Sequence, residues 1–356
     1  MRGSFKIAEI AGISINIHVT FLLLILIFGK WFFFVLAVFF FVTLHELAHS
    51  LVAKKFGIKV KEITLLPIGG VASMSGMPEK PYQEFLISLA GPMTNIAVIV
   101  LFYFPLKAVV GPDIFFASIK SFFTGFIPRN FDGRFILCQI YWINLILAGF
   151  NLLPAFPMDG GRILRSILAQ RFGFQKATKI AVNFGHVFAL IFGYIGLVHG
   201  RFMLLIIAVF IYMAASSEEM QVDLKATLRK FKVKDVLGVQ FLTLQPDANL
   251  SKVLELIFKS RQEDFPVVDE SGEMKGFITR YDVINGIHQY GVSSNVSQVM
   301  RVSIPTVTES QKLNDVQNIM QSNELKALPV MKDGRVIGVV TTEDISRVYS
   351  MMSRRR

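Results

Sequence analysis

Two histidines and a glutamate, His45, Glu46 and His49, lie within one five-residue segment. Residues four apart lie on the same face of a helix, so both imidazoles can bind one metal ion while Glu46 reaches a water molecule on it. Zinc accepts nitrogen and carboxylate-oxygen ligands and leaves a position open when it is catalytic. The five residues alone are only moderately specific, because two surface histidines beside an ordinary salt bridge give the same pattern.

The segment directly follows an apolar stretch at residues 31–44. A charged side chain near the centre of a bilayer costs about 2.5–3.5 kcal/mol on insertion scales, so polar residues at that depth usually serve a function. We therefore interpret His45, Glu46 and His49 as a functional cluster.

Asp159 is the candidate for a third ligand. It follows Pro154 and Pro157 and precedes Gly160 and Gly161. The prolines end the preceding helix, and the glycines allow an unusual backbone path after the aspartate. Such a turn can hold a carboxylate rigidly at the membrane, although Asp159 could instead only cap the helix that follows.

The whole chain is too apolar for an ordinary soluble protein. It has 356 residues, of which 53% are hydrophobic, and a mean hydropathy of +0.51. A helix needs about 20 residues to cross a bilayer. With their flanks, six apolar stretches approach this length: residues 19–28, 31–44, 85–106, 135–150, 180–198 and 202–215. We predict a multi-pass α-helical membrane protein with about six transmembrane helices. A cleaved signal peptide is the alternative for the first stretch, but no small-residue cleavage site follows it.

Charge distribution predicts the orientation. Lys and Arg are more frequent in the loops on the side of the N-terminus. This bias predicts a plasma-membrane protein with both termini in the cytoplasm. The basic residues flank the spans, so the net charge of +11 indicates contact with membrane lipid and no nucleic-acid partner. The single cysteine, Cys138, excludes an intrachain disulfide and a cysteine-based zinc site.

Two segments of the membrane half, residues 5–18 and 57–76, have strand-like and turn-like patterns. They predict a small membrane-associated β-sheet. A peptide carbonyl within a helix is already hydrogen-bonded, so a substrate helix must be locally extended before attack. Residues 57–76 could offer an edge strand to such a substrate.

After Ser217 charged residues become frequent, and an internal repeat begins. Gly276-Phe-Ile-Thr-Arg-Tyr-Asp282 matches Gly338-Val-Val-Thr-Thr-Glu-Asp344. We predict a membrane domain at 1–222, a basic linker at 223–232 and cytoplasmic α/β repeats at 233–290 and 291–356. A single repeat could bury little core, so the two should pack as a pair.

The motifs His45-Glu-Leu-Ala-His49, Ala90-Gly-Pro-Met-Thr-Asn95 and Asn151-x-x-Pro-x-x-Pro-x-Asp159-Gly together resemble the site-2 protease family of intramembrane metalloproteases. Met158 departs from the family, in which Leu often stands before the Asp-Gly pair. The resemblance implies one catalytic zinc ion bound by His45, His49 and Asp159, Glu46 as catalytic base, and a transmembrane protein as substrate. Asn151 could donate a hydrogen bond to the substrate or an oxyanion, or could only cap a helix end.

The repeat resembles a tandem pair of CBS (cystathionine β-synthase) modules. Thr279, Asp282, Thr341 and Asp344 match the positions where such modules bind adenine nucleotides, the hydroxyl toward phosphate and the carboxylate toward ribose. The resemblance implies that ATP, ADP or AMP modulates cleavage. The alternative is a purely structural pair or a homodimer contact.

Two other functions stay open on the sequence. One is a nucleotide-sensing membrane transporter or channel with a metal site, although transporters commonly have repeated halves and residues 1–220 show no repeat. The other is an inactive scaffold with structural zinc, which would have no need of Glu46.

Overall fold

Long apolar helices dominate the first part of the chain. The computed structural model describes residues 3–353 except 22, 25–26, 28, 30–31, 68, 75–77, 79, 125–132, 239–240 and 261. In the described ranges from Phe32 onward, the first seven helices are α1 (Phe32–Lys55), α2 (Pro81–Val110), α3 (Pro112–Thr124), α4 (Gly133–Asn151), α5 (Asp159–Phe172), α6 (Phe174–Val198) and α7 (Phe202–Leu228). Within the described ranges, α1, α2, α4, α6 and α7 are long and apolar enough to cross a membrane.

These five helices coincide with five of the six predicted spans. The shortest, α4, has 19 residues, which at 1.5 Å per residue is about 28 Å, close to the hydrocarbon thickness of a bilayer. The remaining predicted span, residues 19–28, is described only in part, because residues 22, 25–26 and 28 lie outside the described residues. Val19–Phe21 forms a short 3₁₀ turn at its start.

The short helix α3 has no counterpart in the sequence prediction. Its 13 residues are too few to cross a bilayer. It packs on α4, where Phe115 contacts Tyr141 and the Trp142 indole N–H donates a 2.8 Å hydrogen bond to the Ser118 hydroxyl. The helix therefore braces the middle of α4.

A four-stranded sheet, predicted as a small membrane-associated sheet, is present. Its strands are β1 (Ser4–Ile10), β2 (Ile13–His18), β3 (Val60–Leu66) and β4 (Gly69–Met74), in that spatial order. The pair β2–β3 is parallel and the other two pairs are antiparallel. Ile13 and Ile63 are fully buried against Leu47 of α1 and Ile87 of α2. One face of the sheet therefore lies on the helix that carries the two histidines.

Helix α5 is fixed by a buried ion cluster. The fully buried Arg165 guanidinium donates to Glu84 of α2 and to Glu218 of α7, the latter at 2.7 Å. Its central carbon lies 4.7 Å and 4.5 Å from the ring centroids of Phe156 and Phe174. An unpaired charge at such a site would be strongly destabilising. The cluster therefore ties the element that begins at Asp159 to two membrane helices.

Two compact units divide the chain, Met1–Met220 and Gln221–Arg356. The second contains the predicted repeat. Its elements are α8 (Leu250–Lys259), β5 (Phe265–Val268), β6 (Met274–Ile278), α9 (Arg280–Tyr290), β7 (Val307–Thr308), α10 (Leu313–Ser322), β8 (Ala327–Lys332), β9 (Arg335–Thr341) and α11 (Thr342–Ser353).

Equivalent pairs in the two repeats have the same register. Val267 pairs with Gly276 in the β5–β6 hairpin, and Val330 pairs with Gly338 in the β8–β9 hairpin. Each repeat also has its own buried cluster, around Phe265 in the first and Leu328 in the second. The repeated sequence therefore folds as two like α/β modules.

Candidate active site

Three predicted ligands converge on one point in the first unit. The Nε2 atoms of His45 and His49 lie 3.1 Å and 3.2 Å from Oδ2 of Asp159, and 3.1 Å from each other. Both histidines are on α1 and almost fully buried, and Asp159 is the first residue of α5. These three side chains form a group that could hold a metal ion.

The second ring nitrogen of each histidine, Nδ1, makes a hydrogen bond that bears on whether Nε2 can bind a metal. Nδ1 of His49 lies 2.6 Å from the carbonyl oxygen of Ile87, and Nδ1 of His45 lies 2.6 Å from Oδ1 of Asn95. The Ile87 carbonyl only accepts hydrogen bonds, so Nδ1 of His49 carries the proton and its Nε2 presents a lone pair. In the observed orientation of Asn95, with its oxygen toward His45, the same holds for His45. Histidines that bind metals commonly make this outer contact.

The spacing of the three atoms also fits zinc. Tetrahedral coordination with bonds of 2.0–2.1 Å puts ligand atoms about 3.3 Å apart, and the observed separations are 3.1–3.2 Å. The donor set is therefore two imidazole nitrogens and one carboxylate oxygen.

The turn before Asp159 works differently from the prediction. Gly160 and Gly161 are ordinary residues of α5 without positive φ. A Cβ on Gly160 would lie 2.2 Å from the Leu153 carbonyl oxygen, and one on Gly161 would lie 2.5 Å from the Ala155 carbonyl carbon. The glycines thus permit close approach of the backbone, not an unusual path. The N-cap residue of α5 is Met158, and among the described residues the hydrogen-bond contacts of the Asp159 side chain are with His45 and His49, so simple capping does not explain it.

A glycine of α2 brings that helix against both imidazoles. A Cβ on Gly91 would lie 2.3 Å from Nε2 of His49 and 2.7 Å from Cε1 of His45. The histidine rings therefore rest on the backbone of α2, and any side chain at this position would displace them.

Glu46 lies beside the edge of the sheet. It is half-buried on α1, and a Cβ on Gly70 would lie 2.7 Å from its Cγ. Gly70 belongs to β4, which pairs with β3 on one side and is last in the strand order. The side chain of Glu46, the residue after His45, therefore lies against the edge strand β4.

Asn151 is the last residue of α4 and is half-buried. Among the residues that the structure describes, its amide has no hydrogen-bond partner. It makes no hydrogen bond to His45, His49 or Asp159, and it does not cap α4 with its side chain.

The predicted nucleotide residues lie at two equivalent helix starts in the second unit. Thr279 and Asp282 hydrogen-bond each other at the start of α9, with the Thr279 hydroxyl donating to Asp282 at 2.6 Å. Thr341 donates likewise to Asp344 at 2.8 Å beside α11. All four residues therefore have at least a structural role in capping.

The two pairs differ in what else they contact. Both carboxylate oxygens of Asp282 accept hydrogen bonds from Arg301 at 2.9 Å, and these bonds raise the pKa of the Arg301 guanidinium. Asp344 has only a distant cation, with Arg347 Nη1 at 3.8 Å. Among the described residues, Asp344 is thus the less engaged carboxylate.

Sequence reasoning missed Asn144, a buried residue of α4. Its Oδ1 accepts a 2.9 Å hydrogen bond from Nδ2 of Asn95, which in turn contacts His45. A signal was present, because a carboxamide within the apolar stretch 135–150 is costly in a bilayer and therefore usually functional.

Two family models and several known proteins match the chain. Residues 33–192 match the model of Peptidase family M50, and residues 233–289 and 296–350 each match the CBS domain model. Zinc metalloprotease MJ0392 of Methanocaldococcus jannaschii is 33% identical over 361 residues, covering 99% of this chain and 98% of the relative.

More distant similarity extends to a bacterial protein. Stage IV sporulation protein FB of Bacillus subtilis is 24% identical over 233 residues, covering 64% of this chain and 70% of that protein. Among solved structures, a site-2 protease from Methanocaldococcus jannaschii is 39% identical, covering 61% of this chain and 95% of the other, with a TM-score of 0.43.

The chain belongs to peptidase family M50, the site-2 proteases, and carries a C-terminal CBS pair. It is an integral membrane zinc metalloendopeptidase that acts on membrane proteins. This confirms the predicted class, fold and enzyme activity, and the transporter alternative is not favoured. The family implies zinc, and the two imidazoles and the carboxylate described above fit that ion.

Proposed function

We propose that His45, His49 and Asp159 bind the catalytic zinc ion and that Glu46 is the general base for hydrolysis of peptide bonds in or near transmembrane segments. The observation that carries this assignment is the convergence of three donor atoms within 3.2 Å of one another. The position of Glu46, directly after His45 and against Gly70 of β4, supports it.

The side chains have separate tasks in this mechanism. Zinc, when bound, polarises the scissile carbonyl and lowers the pKa of water. Glu46 accepts a proton from the attacking water and passes it to the nitrogen of the leaving amine. Asn151, whose amide is unengaged among the described residues, donates a hydrogen bond to the substrate carbonyl as negative charge develops on its oxygen.

The substrate is held as an added strand on β4. A helical substrate must open locally before attack, and an extended segment can pair its backbone with a free strand edge. The contact between Gly70 and Glu46 supports this arrangement, because a strand paired with β4 would pass beside the proposed base.

The second unit is the proposed regulator. An adenine nucleotide, ATP, ADP or AMP, binds at Thr341 and Asp344 or at Thr279 and Asp282 and changes the cleavage rate. The CBS matches support this role. We also propose that the protein is multi-pass in the plasma membrane with both termini in the cytoplasm, that it contacts membrane lipid, and that two copies associate through their CBS pairs.

Replacing Glu46 with Gln tests the assignment. We expect purified Glu46→Gln protein in detergent to keep its zinc and to cleave a transmembrane-segment substrate at least about 100-fold more slowly, because general acid–base catalysis is lost. The control is Glu219→Gln on α7. The Glu219 carboxylate makes a long ion pair of 3.6 Å with an exposed lysine, Lys179. Cleavage by Glu46→Gln at the wild-type rate would disprove the mechanism, and full zinc retention by His45→Ala would disprove the ligand set.

A further inference from the structure

Asn144 is linked to the candidate zinc ligand His45 by a continuous chain of hydrogen bonds. The Asn144 amide Nδ2 donates to the carbonyl oxygen of Ile140 at 3.0 Å, one turn earlier on α4. Asn95 Nδ2 donates to Asn144 Oδ1 at 2.9 Å, and Asn95 Oδ1 lies 2.6 Å from Nδ1 of His45. Both asparagines are 1% exposed, so solvent does not compete for these bonds.

The direction of this chain is set at its backbone end. A carbonyl oxygen only accepts, so Asn144 must turn its NH₂ group to Ile140 and its oxygen to Asn95. Asn95 must then turn its own NH₂ group to Asn144 and its oxygen to His45. That oxygen only accepts, so the proton of His45 is on Nδ1 and the lone pair is on Nε2.

Asn95 alone could not impose this tautomer. Its amide has a donor end and an acceptor end, and reversing it would present NH₂ to His45 and leave the imidazole proton on Nε2. With Asn144 present, the reversal puts two carboxamide oxygens against each other in a buried site, where unsatisfied polar groups are costly. His49 has no such ambiguity, because its partner is the Ile87 carbonyl.

We propose that Asn144 is a positioning residue that fixes the Nδ1-protonated tautomer of His45 through Asn95 and thereby raises the zinc affinity of the site. The proposal rests on the proposed role of His45 as a zinc ligand. Within the described part of the chain, Asn144 makes no hydrogen bond to His45, Glu46, His49 or Asp159, so its effect must pass through Asn95.

The primary test is the zinc affinity of Asn144→Leu in the full-length protein in detergent, measured by competition with a chromophoric chelator. We expect zinc binding about tenfold weaker, the lower end of the range for outer-shell substitutions. Gln139→Leu is the matched control, because Gln139 is on the same helix and donates one hydrogen bond to the Ser118 carbonyl at 3.4 Å. It should bind zinc as the wild type does.

A rescue experiment separates tautomer control from packing. In the Asn95→Asp protein the side chain at position 95 is a carboxylate with no donor end. It therefore accepts a hydrogen bond from His45 whichever residue stands at position 144. Adding Asn144→Leu to Asn95→Asp should therefore cause no further loss of zinc affinity. An equal loss in both backgrounds would mean that Asn144 acts by packing alone and would overturn the proposal.

Two further variants keep the outcomes distinct. Asn144→Ala removes the amide without adding bulk and replaces Asn144→Leu if the latter does not fold. His45→Ala reports on the ligand assignment itself. Zinc loss in His45→Ala together with wild-type affinity in Asn144→Leu and Asn144→Ala rejects only the Asn144 proposal, whereas wild-type affinity in His45→Ala rejects the ligand assignment beneath it.

Discussion

The residues of the proposed zinc site differ in how far the sequence alone predicts them. The two histidines of α1 were predictable, because spacing on a helix fixes which side chains share a face. Asp159 was predictable from its turn and the family resemblance. The polar Asn144 in an apolar stretch could have been noticed, but its role could not be predicted, because that depends on which buried group of another helix it meets, and hydrophobic patterns do not encode that pairing.

Gly91→Ala should damage the site from the opposite helix. The added methyl group would overlap the His49 ring, and overpacking of this kind costs about 1–3 kcal/mol, so we expect zinc binding to weaken about 5- to 150-fold. Gly149→Ala on α4 is the control, because a Cβ there meets nothing within 4 Å. Chelator competition measures both variants, and equal affinities would show that the histidines can move aside without cost.

For the strands of the membrane half, the sequence pattern predicts that they exist but does not predict which of them pair. Alternation along residues 57–76 correctly predicted strands, but not their order in the sheet. The parallel pairing of Ile15 with Ile63 and of Ile17 with Leu65 makes β3 an interior strand. Proline at Ile63 or Leu65 would therefore break the sheet itself, so only β4 is suitable for testing strand addition. Order within a sheet depends on partners distant in the sequence, which local alternation does not reveal.

Proline substitutions in β4 test the proposed substrate edge. Successive N–H groups along a strand point to opposite sides, so one of Val71 and Ala72 directs its N–H away from β3. We expect one of Val71→Pro and Ala72→Pro to keep its fold and zinc content yet cleave at least tenfold more slowly, since an outward donor is lost. Val71→Thr and Ala72→Ser keep the N–H and should cleave normally. Undiminished cleavage by every zinc-containing proline variant would contradict strand addition.

At the scale of the whole molecule, the repeat was predictable from matched residues but the difference between its copies was not. Thr and Asp occur in both modules, which the sequence alone presents as equivalent. Arg301 lies in a part of the second repeat with no motif of its own, and only the folded chain brings it to Asp282. The modules are therefore alike in fold and unlike in the chemistry they expose.

The effect of AMP on cleavage tests this difference. We expect Asp344→Asn to weaken AMP binding at least tenfold and to abolish any effect of AMP on the cleavage rate, because the variant keeps a capping oxygen but loses the charge. Asp282→Asn should have a smaller effect, since Arg301 already engages that carboxylate. Calorimetry gives the affinities. Absence of AMP binding to the wild type would reject the nucleotide proposal for AMP, and equal losses in both variants would reject the difference between the modules.

The separation of the three donors along the chain affects how the enzyme is made. His45 and His49 are synthesised early, whereas Asp159 follows only after α2, α3 and α4. At about 5–20 residues per second, a ribosome needs several seconds or more to add the intervening stretch. During that interval the nascent chain presents two imidazoles without the carboxylate. With the proposed ligand set, the newborn protease would therefore cut no neighbour in the membrane until most of its own helices had been inserted.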